Sequence, residues 1–133
     1  MAVAICILDR DEDAVLALIE SGSILYVFDI RHPGAVRREL RIYRESLVSW
    51  AERRQTFQST PAAVIASILP TVKQPVIRAR EISRRFSCSS THALGLIAKG
   101  ALKRHGPTGH GPNGSPLVER ASVEAFLHRR LVQ

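Results

Sequence analysis

An α+β fold, mostly helical and built from two similar units, is what this sequence predicts. Three observations carry that expectation. The stretch from Arg80 to Leu102 patterns as helix, tight turn, helix. A weaker copy of the same pattern lies seventy-eight positions earlier. From Gly106 to Pro116 runs a segment so rich in Gly and Pro that only a loop fits it.

In the clearer unit, Ile82 and Phe86 lie four apart and share one helical face. Ser87-Cys88 is long enough only for a turn. Ser89 is a good N-cap, because its hydroxyl can satisfy an orphan amide of the next helix. Ala93, Leu96 and Ile97 form that helix's buried stripe, and Gly100 suits a left-handed stop. Ser90, Thr91 and His92 remain at its exposed start. Ala101 to His105 and Leu117 to Arg120 are expected as strands around the loop. Ser122 is expected to cap a last helix whose Val123, Phe126 and Leu127 share a face. Gly95 is unusual inside a helix, where it costs about 1 kcal/mol against Ala.

Helix, turn, helix ending in Leu96-Ile-x-x-Gly-x-Leu102, a basic hairpin and a closing Ser122-Val-Glu-Ala-Phe-Leu127 resemble the excisionase or MerR-type winged helix-turn-helix. The resemblance covers about Val76 to Arg130. It implies a sequence-specific DNA-binding protein with double-stranded DNA as its partner. Helix 89–98 would read the major groove, and the 101–120 wing would meet backbone or minor groove. It implies a transcriptional regulator, or an architectural factor that bends DNA for a recombinase. MerR-type sensors add a coiled coil and an effector domain; neither is visible, so ligand sensing is not expected. A phage terminase small subunit uses a similar domain and stands as an alternative. A protein-interaction adaptor built of such units is the rival from another class.

Sliding the chain by seventy-eight positions lays Leu18-Ile19-Glu-Ser-Gly22-Ser-Ile24 on Leu96-Ile97-Ala-Lys-Gly100-Ala-Leu102, with Ala4 on Ile82 and Leu8 on Phe86. Tyr26 to Ile30 and Arg37 to Tyr43 become hairpin strands turning at His32-Pro33-Gly34. With a two-residue shift in the loop, Arg44-Glu-Ser46-Leu47-Val-Ser-Trp50 matches Arg120-Ala-Ser122-Val123-Glu-Ala-Phe126, with Trp50 and Phe126 as equivalent core anchors. Tandem winged helix-turn-helix units are therefore expected, with residues 1–54 a degenerate unit, 55–75 a linker helix and 76–133 the DNA-binding unit. The first copy carries Asp9, Asp11, Glu12 and Asp13 where the second carries its recognition turn. Acids there favour the helix dipole but oppose phosphates, so a packing role is expected. Ala2 to Leu8 reads as a truncated helix or as a buried strand. Ser59 or Thr60 caps the linker helix, with Pro61 at its first position. Ala62 to Leu69 is too apolar for a free linker and is expected to be buried between the units or across a homodimer.

The chain has 133 residues and a formal net charge of +7. Up to Gln58 eight arginines face nine acids; from Ser59 eleven Lys and Arg face three acids, a local charge of +8. The positive excess coincides with the helix-turn-helix pattern, which favours a phosphate-binding face. The longest apolar runs are too short to span a membrane. Cys6 and Cys88 make no disulfide framework, and a cytoplasmic protein is expected.

Ser90, Thr91 and His92, set by the Ser89 cap, are the candidates for base-edge contacts. Arg80, Arg84 and Arg85 on the first helix, and Lys99, Lys103 and Arg104 beyond the second, are phosphate candidates. His105 and His110 belong to the wing. Arg31, Arg37, Arg38 and Arg41 form a second set of backbone candidates in the first unit. Cys88 and His92 lie four apart, but metal-ligand spacings are lacking, so no metal and no cofactor are expected. No nucleophile–base arrangement or phosphate loop appears, and no enzymatic activity is expected.

Overall fold

A computed structural model of the chain describes residues 11–52, 59–106 and 116–132. The expectations for Ala2 to Leu8, Asp9 and His110 fall outside them. Among the described residues the fold is α+β, with six helices and two small antiparallel sheets. The first half runs α1 (Glu12–Glu20), β1 (Val27–Asp29), β2 (Leu40–Ile42) and α2 (Arg44–Ala51). Then come α3 (Pro61–Ile68), β3 (Val76–Arg78), α4 (Ala79–Arg85), α5 (Ser90–Ala98), β4 (Leu117–Glu119) and α6 (Arg120–Arg130). No helix among the described residues is long and apolar enough to cross a membrane.

Several single hydrogen bonds recur in the two halves at the seventy-eight-residue offset. α1 and α5 have the same nine-residue length, and their bounds differ by the expected offset. Asp11 caps α1 by accepting from the Ala14 amide, and Ser89 caps α5 by accepting from the His92 amide. Both helices stop on a left-handed glycine, Gly22 at φ 72° and Gly100 at φ 75°. The amides two residues beyond each glycine turn back to equivalent carbonyls: Ile24 donates to Leu18 and Leu102 to Leu96, both at 3.2 Å. Only a residue without a Cβ enters that conformation cheaply, so glycine at these two places ends the helices where it does.

The serine of each closing helix meets an equivalent backbone residue, with its hydrogen-bond role reversed. Ser46 Oγ donates to the carbonyl of Leu25 at 2.5 Å, and Ser122 Oγ accepts from the amide of Lys103 at 2.7 Å. Positions 25 and 103 are equivalent under the repeat. Ser122 is thus not the N-cap expected from the sequence. α6 begins earlier, after Glu119, and Ser122 ties its first turn to the segment that follows α5.

The strands differ from expectation more than the helices do. Ala101 to His105 forms no strand; it contributes one bridge, Arg104 to Val118. The expected strand Leu117 to Arg120 is shortened to β4, and its ladder partner is β3, with Ile77 opposite Val118. β3 was not expected from the sequence at all. In the first half the expected strands contract to β1 and β2, paired with Phe28 opposite Arg41. Their loop turns where predicted: the Ala35 amide donates to the His32 carbonyl at 3.1 Å, with Pro33 and Gly34 between. Gly34 sits at φ 78°, the sign a Pro-Gly type II turn demands.

Two apolar clusters hold these elements. The smaller joins Val15, Ile19, Ile24, Val27, Leu40 and Leu47, with Trp50 half-buried at its edge, while its counterpart Phe126 is fully buried. The larger joins Tyr26, Phe28 and Ile30 to Val64, Ile65 and Leu69 of the α3 segment and to Ile77, Ile82, Phe86, Leu96, Val118 and Phe126. β1 alternates between them, as a strand must when both faces are covered. Its outer edge bonds to the end of the chain, the Val132 amide donating to the Val27 carbonyl at 2.7 Å. The apolar linker helix is capped by Thr60 with Pro61 at its start. Val64, Ile65 and Leu69 pack into the cluster that both halves share, while Ala62, Ala63 and Ala66 stay exposed. Tyr26 Oη donates to the Ser59 carbonyl, and the Tyr43 and Ser67 hydroxyls meet at 2.9 Å.

Candidate nucleic-acid interface

α5 has three faces, and each is assigned. Ala93 and Leu96 are buried in the large cluster, with Ile97 packed against it. His92 and Gly95 are turned to the first half of the chain. Ser90, Thr91, Leu94 and Ala98 remain exposed and share one side of the helix, following the three- and four-residue spacing.

The second of these faces is held by a clasp of two histidines. The His32 and His92 rings stack with centroids 4.2 Å apart and planes 17° from parallel. Nε2 of His92 lies 2.7 Å from the Ile30 carbonyl, and Nε2 of His32 lies 3.0 Å from the His92 carbonyl. A carbonyl can only accept, so each ring carries a proton on Nε2. Gly95 makes room for this: a Cβ there would lie 2.6 Å from His32 Cε1 and 2.7 Å from Nε2. The close approach that the mid-helix glycine permits is therefore to the first half's hairpin loop.

Arg41 fastens the other end of that hairpin. Its Nε donates at 3.1 Å to the carbonyls of both Phe86 and Ser87, the last groups of α4 and the turn. Ser87 sits at φ 49°, a left-handed conformation that costs a residue with a Cβ. The Arg41 guanidinium also bonds Glu39 at 2.8 Å and holds that carboxyl below its usual range, with burial opposing. Buried Asp29 accepts from the amides of Arg31 and Glu39 and pairs with the Arg31 side chain at 3.3 Å. The hairpin is thus tied at its base, at the helix–turn–helix corner and along α5.

The expected site residues fall into distinct groups. Ser89 caps, and Ser90 and Thr91 stand exposed at the start of α5. His92 is half-buried and committed to the clasp. Arg84 and Arg85 share Glu81, at 3.9 and 2.9 Å, and Lys103 reaches Glu119 at 3.6 Å. All three pairs are at the surface, where such contacts contribute little and exchange readily for another anion. Arg80, Lys99, Arg104 and His105 are exposed. Arg31 and Arg41 are engaged in the hairpin, as described. Exposed Arg37 and Arg38 line an open groove of about 620 Å³ whose other wall is Glu12, Leu16 and Glu20. Those three are the repeat counterparts of Ser90, Leu94 and Ala98, so the matching face of α1 is acidic.

Burial pushes the Cys88 thiol up, against the pull of the Arg41 guanidinium. No cluster of three or more metal-ligating side chains occurs among the described residues. The sequence reading missed Leu94, which is 44% exposed on the same side as Thr91. The signal was available: Leu94 follows Ser90 by four and falls outside the Ala93–Leu96–Ile97 stripe. Compared with known proteins, the chain matches no family model, no curated protein and no solved structure.

Proposed function

We propose that the chain is a sequence-specific binder of double-stranded DNA, built as tandem winged helix-turn-helix units, that presents the start of α5 to the major groove. One observation carries this reading. Ser90 and Thr91 are open to solvent at the capped start of α5, next to a corner held by Arg41, while exposed Arg80, Arg84 and Arg85 lie on α4 and exposed Lys99 at the far end of α5. Small polar groups at an exposed helix start can reach base edges, while long cations around them hold phosphates. Arg104 and Lys103 would bring the wing to the backbone. Within this reading the first half steadies α5 and reads no bases, because its own equivalent face carries Glu12 and Glu20. A cytoplasmic transcriptional regulator or an excisionase-like recombination factor fits such a surface.

The test is a titration of labelled duplex DNA at several salt concentrations. With about six phosphates engaged, affinity should fall on the order of 10³-fold between about 50 and 200 mM salt. Arg80→Ala and Lys99→Ala should each reduce the salt slope by about one, with equal losses on all sequences. Absence of binding at low salt, or a flat salt response, overturns the proposal.

A further inference from the structure

The exposed face of α5 has an unusual chemistry for a reader of bases. Ser90, Thr91, Leu94 and Ala98 offer no guanidinium, carboxamide or carboxylate. The bidentate pairings that distinguish guanine or adenine are therefore unavailable from it. His92, the residue on this helix best suited to such a pairing, has its Nε2 committed to the Ile30 carbonyl at 2.7 Å. What the face does offer is methyl groups: those of Leu94, Ala98 and the Thr91 side chain. Leu94 is the largest of them. It is 44% exposed, whereas its counterpart Leu16 in the first copy packs against the smaller cluster. The core has no use for Leu94, since Ala93 and Leu96 fill the inward positions of the same turn.

In the major groove the one apolar group on a base edge is the methyl at C5 of a pyrimidine, present in thymine and in 5-methylcytosine. We infer that α5 recognises a pyrimidine 5-methyl group through Leu94, with the methyls of Thr91 and Ala98 beside it. This rests on the DNA-binding reading and makes it specific: Leu94 is the specificity-determining residue, and the hydroxyls of Ser90 and Thr91 orient the helix start. Covering one methyl group with apolar surface is worth about a fourfold difference in affinity.

The experiment begins with selection of bound duplexes from random DNA by the full chain. Each thymine of the selected site is then replaced by deoxyuridine, which removes the methyl and keeps the pairing edge. At one or two positions wild-type affinity should fall about fourfold. Leu94→Ala should bind the thymine and deoxyuridine duplexes alike, because the partner of the methyl is gone. Leu94 is exposed, so that variant keeps its fold, and its melting temperature verifies this. At the sensitive position, cytosine and 5-methylcytosine duplexes separate the two sources of the group. A gain of about fourfold from methylation in wild type, absent in Leu94→Ala, supports a methyl reader. No gain from methylation overturns recognition of the methyl itself, because the two cytosine duplexes differ in that group alone. Wild-type binding indifferent to deoxyuridine, or a penalty that persists in Leu94→Ala, refutes this inference while leaving DNA binding intact. Failure to bind any duplex at low salt removes both.

Discussion

Replacing Gly95 with alanine should have opposite effects depending on what stands at position 32. In an ordinary helix interior the change stabilises by about 1 kcal/mol, because alanine loses less backbone freedom. Here the new Cβ would lie 2.6 Å from the His32 ring, so the ring must leave. Its departure gives up the bond to the His92 carbonyl and the stack at 4.2 Å. A net hydrogen bond contributes about 1 kcal/mol and an aromatic stack about 0.5–1.5 kcal/mol, so the loss is roughly 2 kcal/mol. Gly95→Ala alone should then destabilise by about 1 kcal/mol, a fall of a few degrees in Tm. In a His32→Ala background nothing opposes the alanine, and the same change should stabilise by about 1 kcal/mol. Urea denaturation of wild type, both single variants and the double variant gives the coupling directly, expected at about 2 kcal/mol. If Gly95→Ala stabilises equally in both backgrounds, the clasp does not exist and the arrangement of the two halves along α5 is wrong.

The other expectations concern the corner and the hairpin. Arg41→Ala should cost about 2 kcal/mol, since the Phe86 and Ser87 carbonyls lose a shared donor, and Arg41→Lys should recover little of it without the guanidinium fork. Position 87 should favour glycine over alanine by about 1 kcal/mol in urea denaturation, because its φ of 49° is left-handed. Glu39, whose carboxyl is held below the ordinary value of 4.5 chiefly by the bond from Arg41, stabilises the fold above that value and less as pH falls through its folded value. Glu39→Gln should therefore flatten the decline of stability on acidification from about pH 5 downward, read as Tm against pH.

How far the fold could be read in advance depended on the range of the interactions. α5 was legible because its stop and start are local: Ser89 and Gly100 act within four residues of themselves. α3 was legible for the same reason, from Thr60 and Pro61. The hairpin turn at His32 to Ala35 needed only Pro-Gly. β3 was missed because three residues after Pro75 are too few to show alternation, and its partner lies forty positions later. Ser122 was misplaced because a serine before an apolar run reads as a cap, while its actual partner, the Lys103 amide, arrives from another element. The direction of His92 was hidden in the same way. Nothing near it in sequence announces a bond to Ile30, sixty-two residues away. Gly95 was recognised as an anomaly, but its explanation required knowing where His32 stands.

A chain of two separate units keeps two stabilities, one per unit, and either can be trimmed without ruining the other. The double-sided strand β1 removes that freedom. Tyr26, Phe28 and Ile30 belong by sequence to the first copy, yet they fill the interior on which Leu96, Val118 and Phe126 depend. The two halves should consequently melt in one transition, and the larger core has no complete set of residues without both. Tolerance to substitution is bound by the same strand. The outer surface of α1 can carry charge where α5 carries none, as Glu12 and Glu20 against Ser90 and Ala98 illustrate, while the inward residues in and beside β1 answer to the core of the other half. The first half is thus retained as a structural creditor of the second, free to change what it displays and unable to leave.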